Sequence, residues 1–188
     1  MIFLTRGFKL AVLGLVTTAI TAGLGVALSP QMSQAQTGLT IFGGVDPAYR
    51  LAYFIDSNRP RSNNARYYLQ VSRNRLPRDV ISLQIEYPES FIEQQGSFNP
   101  DRIELRLGEW RGGEVIPVKS VTWQEENRRI EIIPEAPIAA NTSFVIVMQD
   151  VRNPRRYGYH YFNLRMMYQG DVVDQYVGTW PLELGAGN

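Results

Sequence analysis

Cysteine is absent from this chain of 188 residues. That removes thiol nucleophiles, thiolate zinc sites, iron–sulfur clusters and disulfides together. Histidine occurs once, as His160. A nucleophilic triad would rest on that single ring, which sits mid-strand between Tyr159 and Tyr161 with no Gly-x-Ser-x-Gly elbow anywhere. No Asp-rich loop has the spacing of a calcium site. A charge excess of one sign is missing too. With Arg6 and Lys9 set aside, 17 basic residues face 18 acidic ones, a net of about −1. That balance argues against general nucleic-acid binding, which wants a strongly basic domain. Sustained helical periodicity and internal repeats are also lacking.

What is present begins at the N-terminus. Arg6 and Lys9 precede a charge-free apolar run from Leu10 to Leu28, followed by Ser29-Pro30 and by Ser33-Gln34-Ala35. A basic end, an apolar middle and small residues before a cleavage point are the order of a secretory signal. The expectation is a signal peptide over residues 1–35 and one domain over 36–188 with short disordered ends. The alternative is an uncleaved membrane anchor, because the run approaches the roughly 20 residues that span a bilayer. Without cysteine no lipid can be attached here, and Gly7 after Arg6 gives no twin-arginine signal.

Beyond the signal the period is two. Ile81, Leu83, Ile85 and Tyr87 alternate with Ser82, Gln84 and Glu86; Ile103, Leu105 and Leu107 alternate with Glu104 and Arg106; Ile130 and Ile132 flank Glu131. Each set reads as a strand with one buried face. Segments rich in β-branched and aromatic residues add Leu51–Ile55, Tyr67–Val71, Val118–Trp123, Phe144–Met148, Tyr159–Tyr168 and Tyr176–Leu184. Turn chemistry separates them at Trp110-Arg111-Gly112-Gly113, Glu125–Arg128, Asn99-Pro100 and Asn153-Pro154. The polar loop Ser57–Ala65 reads as mobile, and one helical turn is expected near Ser90–Gln95. Eight or nine short strands predict an all-β, antiparallel, immunoglobulin-like β-sandwich. The stretch from Ile133 through Pro134 and Pro137 to Phe144 resembles a sheet-crossing corner of such domains.

Two further motifs, Val151-Arg152-Asn153-Pro154 with Gly158–Phe162 and Tyr176–Leu182 around Thr179-Trp180-Pro181, stand with Leu39–Phe42 near the expected mature start. Together with the signal they resemble the cyanobacterial family of exported proteins termed domain of unknown function 2808, over most of Gly38 to Leu184. The resemblance implies an exported β-domain of the periplasm, cell envelope or thylakoid lumen, and it brings no catalytic residue. In residue terms the motifs read as architecture. Asn153-Pro154 stops one strand, and Thr179-Trp180-Pro181 ends the last sheet with a large ring over the core.

Charge is uneven along the chain. Residues 50–78 hold seven Arg and one acid, Asp56, whereas residues 79–135 hold twelve acids against six basic residues. Pairing across the sheets is one reading. The other is a basic face for an anionic partner, with Arg59, Arg61, Arg66, Arg152, Arg155, Arg156 and Tyr157 as the candidate interaction surface. Carboxylate chemistry has Glu86, Glu104, Glu125, Glu126 and Asp150 as candidates. A copper carrier would draw on His160, Met148, Met166 and Met167. The favoured expectation is a non-catalytic module that binds an envelope or lumenal protein, without cofactor or metal. The alternative is a binder of anionic or sugar polymers through an Arg/Tyr-rich face.

Overall fold

The structure, a computed structural model, describes residues 44–186. The expected signal segment and Leu39–Phe42 lie outside them. The described chain forms β1 (Tyr53–Asp56), β2 (Ala65–Val71), β3 (Val80–Glu86), α1 (Glu89–Glu93), β4 (Ile103–Leu107), β5 (Val115–Ile116), β6 (Val118–Gln124), β7 (Arg129–Pro134), β8 (Phe144–Val151), β9 (Gly158–Tyr168) and β10 (Gln175–Leu184). They make two five-stranded sheets in the orders β1-β2-β8-β4-β5 and β10-β9-β3-β7-β6. Every strand pair within them is antiparallel.

Alternation explains the layering. On β2, Tyr67, Leu69 and Val71 turn inward; on β8, Phe144, Ile146 and Met148 do; on β9, Phe162, Leu164 and Met166 meet them from the other sheet, all buried in one cluster. Trp180 of β10 is fully buried and donates its indole N–H to the Gln70 carbonyl of β2 at 3.1 Å, so one core side chain ties the two sheets. Phe91 on α1 stacks on Phe98 at 4.7 Å and meets Phe162 edge-on at 5.4 Å, plugging one end of the sandwich. Burying a ring of this size is worth about 1.5–3 kcal/mol, which is why so short a helix stays in place.

The chain crosses between sheets where the sequence places a corner. Strand β7 lies in the second sheet and β8 in the first, so residues 135–143 make the passage. Three expectations need correction. Strand β10 runs on through Thr179-Trp180-Pro181 to Leu184, so that motif lies inside the last strand. Pro181 is tolerated because β10 is an edge strand, where a missing donor costs no ladder bond. The first strand starts at Tyr53, because Arg50 and Leu51 are drawn to the other sheet: Leu51 N–H donates to the Thr179 carbonyl at 2.9 Å. Among the described residues the strands number ten, the extra one being the two-residue β5, cut short by Pro117.

Candidate functional site

The pairing registers put the ends of β1, β3, β6, β8 and β10 at one end of the sandwich, together with the starts of β2, β4, β7 and β9. Two arginine-bearing connections meet there, β1–β2 (residues 57–64) and β8–β9 (residues 152–157). Asn153 joins them from a position only 1% exposed. Its Oδ1 accepts from the Tyr67 hydroxyl at 2.6 Å, and its Nδ2 donates to the carbonyls of Ser57 at 3.1 Å and Arg59 at 2.9 Å. Its backbone N–H donates to Ser62 at 2.7 Å, and Arg61 N–H donates to the Pro154 carbonyl at 3.0 Å. The loop expected to be mobile is thus bonded along its length. On the other side, Arg152 pairs with Ser97 and Arg155 N–H donates to Gln94, which follows α1.

This arrangement gathers Arg59, Arg61, Arg152, Arg155 and Arg156, all exposed. Among the described residues six ion pairs form, and they engage Arg78, Arg102, Arg106, Arg111, Arg128 and Arg129, none of the five. Cross-strand pairing of charge does occur at this end, for example Arg129 with Glu86 at 3.6 Å, but it does not engage these five arginines. Tyr157 stands beside the five; its hydroxyl donates to Glu183 at 2.8 Å, and its ring meets Tyr159 edge-on at 6.0 Å. Tyr159 and that carboxylate hold its phenol protonated well above the ordinary tyrosine range. Tyr159 and Tyr161 continue an exposed row along β9. Arg66 is not part of this group. It lies on the outer face of the first sheet, where it donates to the Tyr68 hydroxyl at 3.3 Å and to Gln149 at 3.2 Å.

Across the same end, α1 and the β6–β7 hairpin present Glu89, Glu93, Glu125 and Glu126 around shallow clefts of about 540 and 560 Å³, which share Glu89 and Arg128. The carboxylates considered for hydrolysis are spent or solvated. Glu86 pairs with Arg129, Glu104 with Arg106 and Asp150 with Arg102, while Glu125 and Glu126 sit exposed at the hairpin tip. His160 is 1% exposed; its Nδ1 lies 3.4 Å from Ser90 Oγ, its Nε2 has no partner, and no carboxylate hydrogen-bonds the ring. Burial lowers its pKa from the ordinary 6.5. A ring enclosed in this way cannot reach a substrate.

Met166 and Met167 do not converge on that ring. Met166 faces inward on the same strand six residues on, roughly 20 Å away at the strand rise, and Met167 takes the opposite face. No group of three or more His, Asp or Glu placed to hold a metal occurs among the described residues. No helix among them is long and apolar enough to cross a membrane.

The motif pair that structures this end, Asn153-Pro154 and the β9–β10 strands, falls within the match of the family model described as Protein of unknown function (DUF2808), which covers residues 39–184. The chain belongs to that family. No curated protein matches it. Among solved structures it is similar to a collagen-binding domain from a Staphylococcus aureus adhesin, at 10% identity over 69% of this chain and 93% of that one, with a TM-score of 0.39. It is also similar to the pilus 2b backbone protein of group B Streptococcus (12% identity, 67% of this chain, 55% of that one, TM-score 0.42). A third is a GH20 exo-β-N-acetylglucosaminidase of Vibrio harveyi (18% identity, 73% of this chain, 18% of that one, TM-score 0.42). This chain therefore spans about half of the streptococcal chain and a small part of the Vibrio one. Likenesses of this level do not bear on what the chain does.

The arginines are legible in the sequence, but the residue that unites them is not. By sequence Asn153 is a strand stop, and its side-chain partners lie 86 to 96 positions away. A buried Asn before Pro carries no local sign of such partners. The outer-face contacts of Gln70 with Trp110, 40 positions away, are hidden for the same reason.

Proposed function

We propose that the protein is an exported, non-catalytic, immunoglobulin-like module that docks an acidic protein partner in the cell envelope or thylakoid lumen through its arginine-bearing end. The observation that carries this reading is the convergence of Arg59, Arg61, Arg152, Arg155 and Arg156 on two loops clamped by Asn153, with no ion pair among them. Like charges held together by a hydrogen-bonded frame repel one another, and an acidic surface placed against them relieves that repulsion. Planar guanidinium forks suit carboxylates in particular. The neighbouring Tyr157 supplies an amphipathic ring of the kind that anchors interfaces. The immunoglobulin-like assignment draws on the sheet-crossing connection between β7 and β8.

The test is co-purification of a C-terminally tagged copy, with Arg59, Arg61, Arg155 and Arg156 each exchanged for Gln in a companion copy. The reading expects a stoichiometric acidic protein with the parent, released by salt and absent with the variant. Recovery of the same protein by both copies rejects it. A second reading, binding of an envelope polymer at this end, draws on the exposed row Tyr157, Tyr159 and Tyr161, whose faces suit sugar rings. Salt-sensitive recovery with polymer and without protein would favour it.

A further inference from the structure

The outer face of the first sheet holds residues that should be wet and are not. Tyr68, Val145 and Val147 point away from the core, yet they are 3%, 0% and 2% exposed and form a cluster of their own. The β4–β5 connection, residues 108–114, folds back over them as a strap. Arg111 lies 5.6 Å from the ring centres of both Phe54 and Tyr68 and pairs with Asp56 at 3.2 Å. Gly112, at φ +72°, rests against the Arg106 side chain where a Cβ would collide. Gln70 holds the strap's tip at both backbone groups of Trp110, donating to its carbonyl at 2.7 Å and accepting from its N–H at 2.8 Å.

Trp110 itself has φ 60° and is 74% exposed. A bulky residue in the left-handed region is a strained choice, and here the strain presents a rigid aromatic plate to solvent. Between strap and sheet lies a cleft of about 320 Å³ whose lining includes Arg66, Glu104, Arg106, Arg111 and Gln149. That is the lower end of the range for small-molecule sites, about 300–1,000 Å³.

We propose that this cleft and the adjacent Trp110 bind an acidic polysaccharide, a chain of pyranose rings carrying carboxylate or sulfate groups. The chemistry of the lining selects that occupant. Trp110 offers an exposed face for a sugar ring, whereas the Tyr68 ring is covered by Arg111, and the Gln149 amide and the Glu104–Arg106 pair offer planar groups for hydroxyls. Arg106 and Arg111 already hold carboxylates, Glu104 at 2.9 Å and Asp56 at 3.2 Å. Arg66 has only neutral acceptors, Tyr68 and Gln149. Of the three guanidinium groups, Arg66 alone has no carboxylate bonded to it, with Asp56 and Asp150 acting on it only at longer range, which suits one anion at a time, as with isolated charges spaced along a sugar chain. A polyphosphate would have to displace Glu104 and Asp56. An added peptide strand needs a free sheet edge, and the strands beneath the cleft, β2, β8 and β4, are each paired on both sides. The inference does not rest on the reading of the arginine-bearing end, which uses other residues.

The experiment is titration of the purified protein with galacturonate oligomers, followed by tryptophan fluorescence with acrylamide quenching and by calorimetry. Of the three tryptophans, Trp180 is buried and Trp123 half-buried, so quenching reports chiefly on Trp110. The acidic oligomers should shield Trp110. By calorimetry their affinity should fall about tenfold or more in Trp110→Gly and in Arg66→Gln, a loss of at least about 1.4 kcal/mol each, with circular dichroism unchanged. Absence of binding by the folded parent overturns the proposal, as does full binding by Trp110→Gly. Equal affinity for uncharged cello-oligosaccharide overturns the acidic specificity. Equal affinity for polyglutamate or polyphosphate overturns the sugar assignment. Neither variant touches Arg59, Arg61, Arg155 or Arg156, so loss of the protein partner and loss of glycan binding are read separately.

Discussion

Asn153 satisfies its amide and its backbone N–H at four partners from a site almost closed to water, and the cost of losing it follows from those partners. In Asn153→Ala the Tyr67 hydroxyl, itself fully buried, loses its acceptor, and two loop carbonyls lose their donor. Each buried group left unpaired costs about 1–3 kcal/mol, less where water can enter. Urea denaturation should therefore show a loss of roughly 2–4 kcal/mol, together with faster proteolysis in residues 57–64. Retention of parent stability would mean that the clamp is not structural. His160 makes a second prediction at this scale. Ser90 and Phe91 of α1 pack against its ring and neither carries a charge. Burial lowers the folded pKa below the ordinary 6.5, so the unfolded chain binds a proton that the native state resists. Its contribution is complete above about pH 6.5 and declines as the pH falls toward the lower folded value. Denaturation midpoints measured from about pH 7 to 5 should drop in the parent and drop less in His160→Phe; identical slopes would contradict the assignment.

Elements were legible where alternation extends over five residues or more. Ile103–Leu107 appears within its expected bounds, and the β3, β6, β9 and β10 patterns differ from the observed strands by a residue or so at their ends. Two residues, as in β5, carry no period to read. The strap was visible only as a turn, because Gly112-Gly113 announces a reversal but not the surface onto which it folds. Side-chain contacts between distant segments, Gln70 to Trp110 and Arg111 to Phe54, set that direction. The strap gives a prediction with an unusual sign. Trp110→Gly relieves the left-handed backbone and removes a side chain with little buried surface, so thermal unfolding should show unchanged or higher stability, by up to about 1–2 kcal/mol. Marked destabilisation would mean that the indole packs more than its exposure indicates. In β10 the opposite holds. A register shift between Tyr176 and Gly178 brings Gly178 under the chain entering β1, where a Cβ would stand 2.5 Å from the Tyr49 carbonyl and 2.9 Å from Leu51. Gly178→Ala should part this seam and lower stability by about 1–3 kcal/mol, seen as increased exchange of the Leu51 amide.

Charge is sorted by position at the scale of the whole described sandwich, although the chain is nearly neutral as a sum. The six ion pairs include side-chain partners on the sheet faces and around α1, whereas the loops stitched by Asn153 hold only one sign. Sequence alone put Arg59, Arg61, Arg152, Arg155 and Arg156 in two runs about ninety positions apart, and only the antiparallel course of β2 and β8 makes them neighbours. The same pairing sends Arg66 to a different face, two residues into β2 with its side chain outward. The measurement that tests the central claim most directly is site-specific photo-crosslinking in cells, with the reactive residue placed at position 61, at position 156 or, as a control on the far edge, at position 119. The account predicts one acidic protein crosslinked from positions 61 and 156 and lost when Arg59 and Arg155 are exchanged for Gln. Equal crosslinking from position 119, or partners unaffected by the exchange, would contradict it.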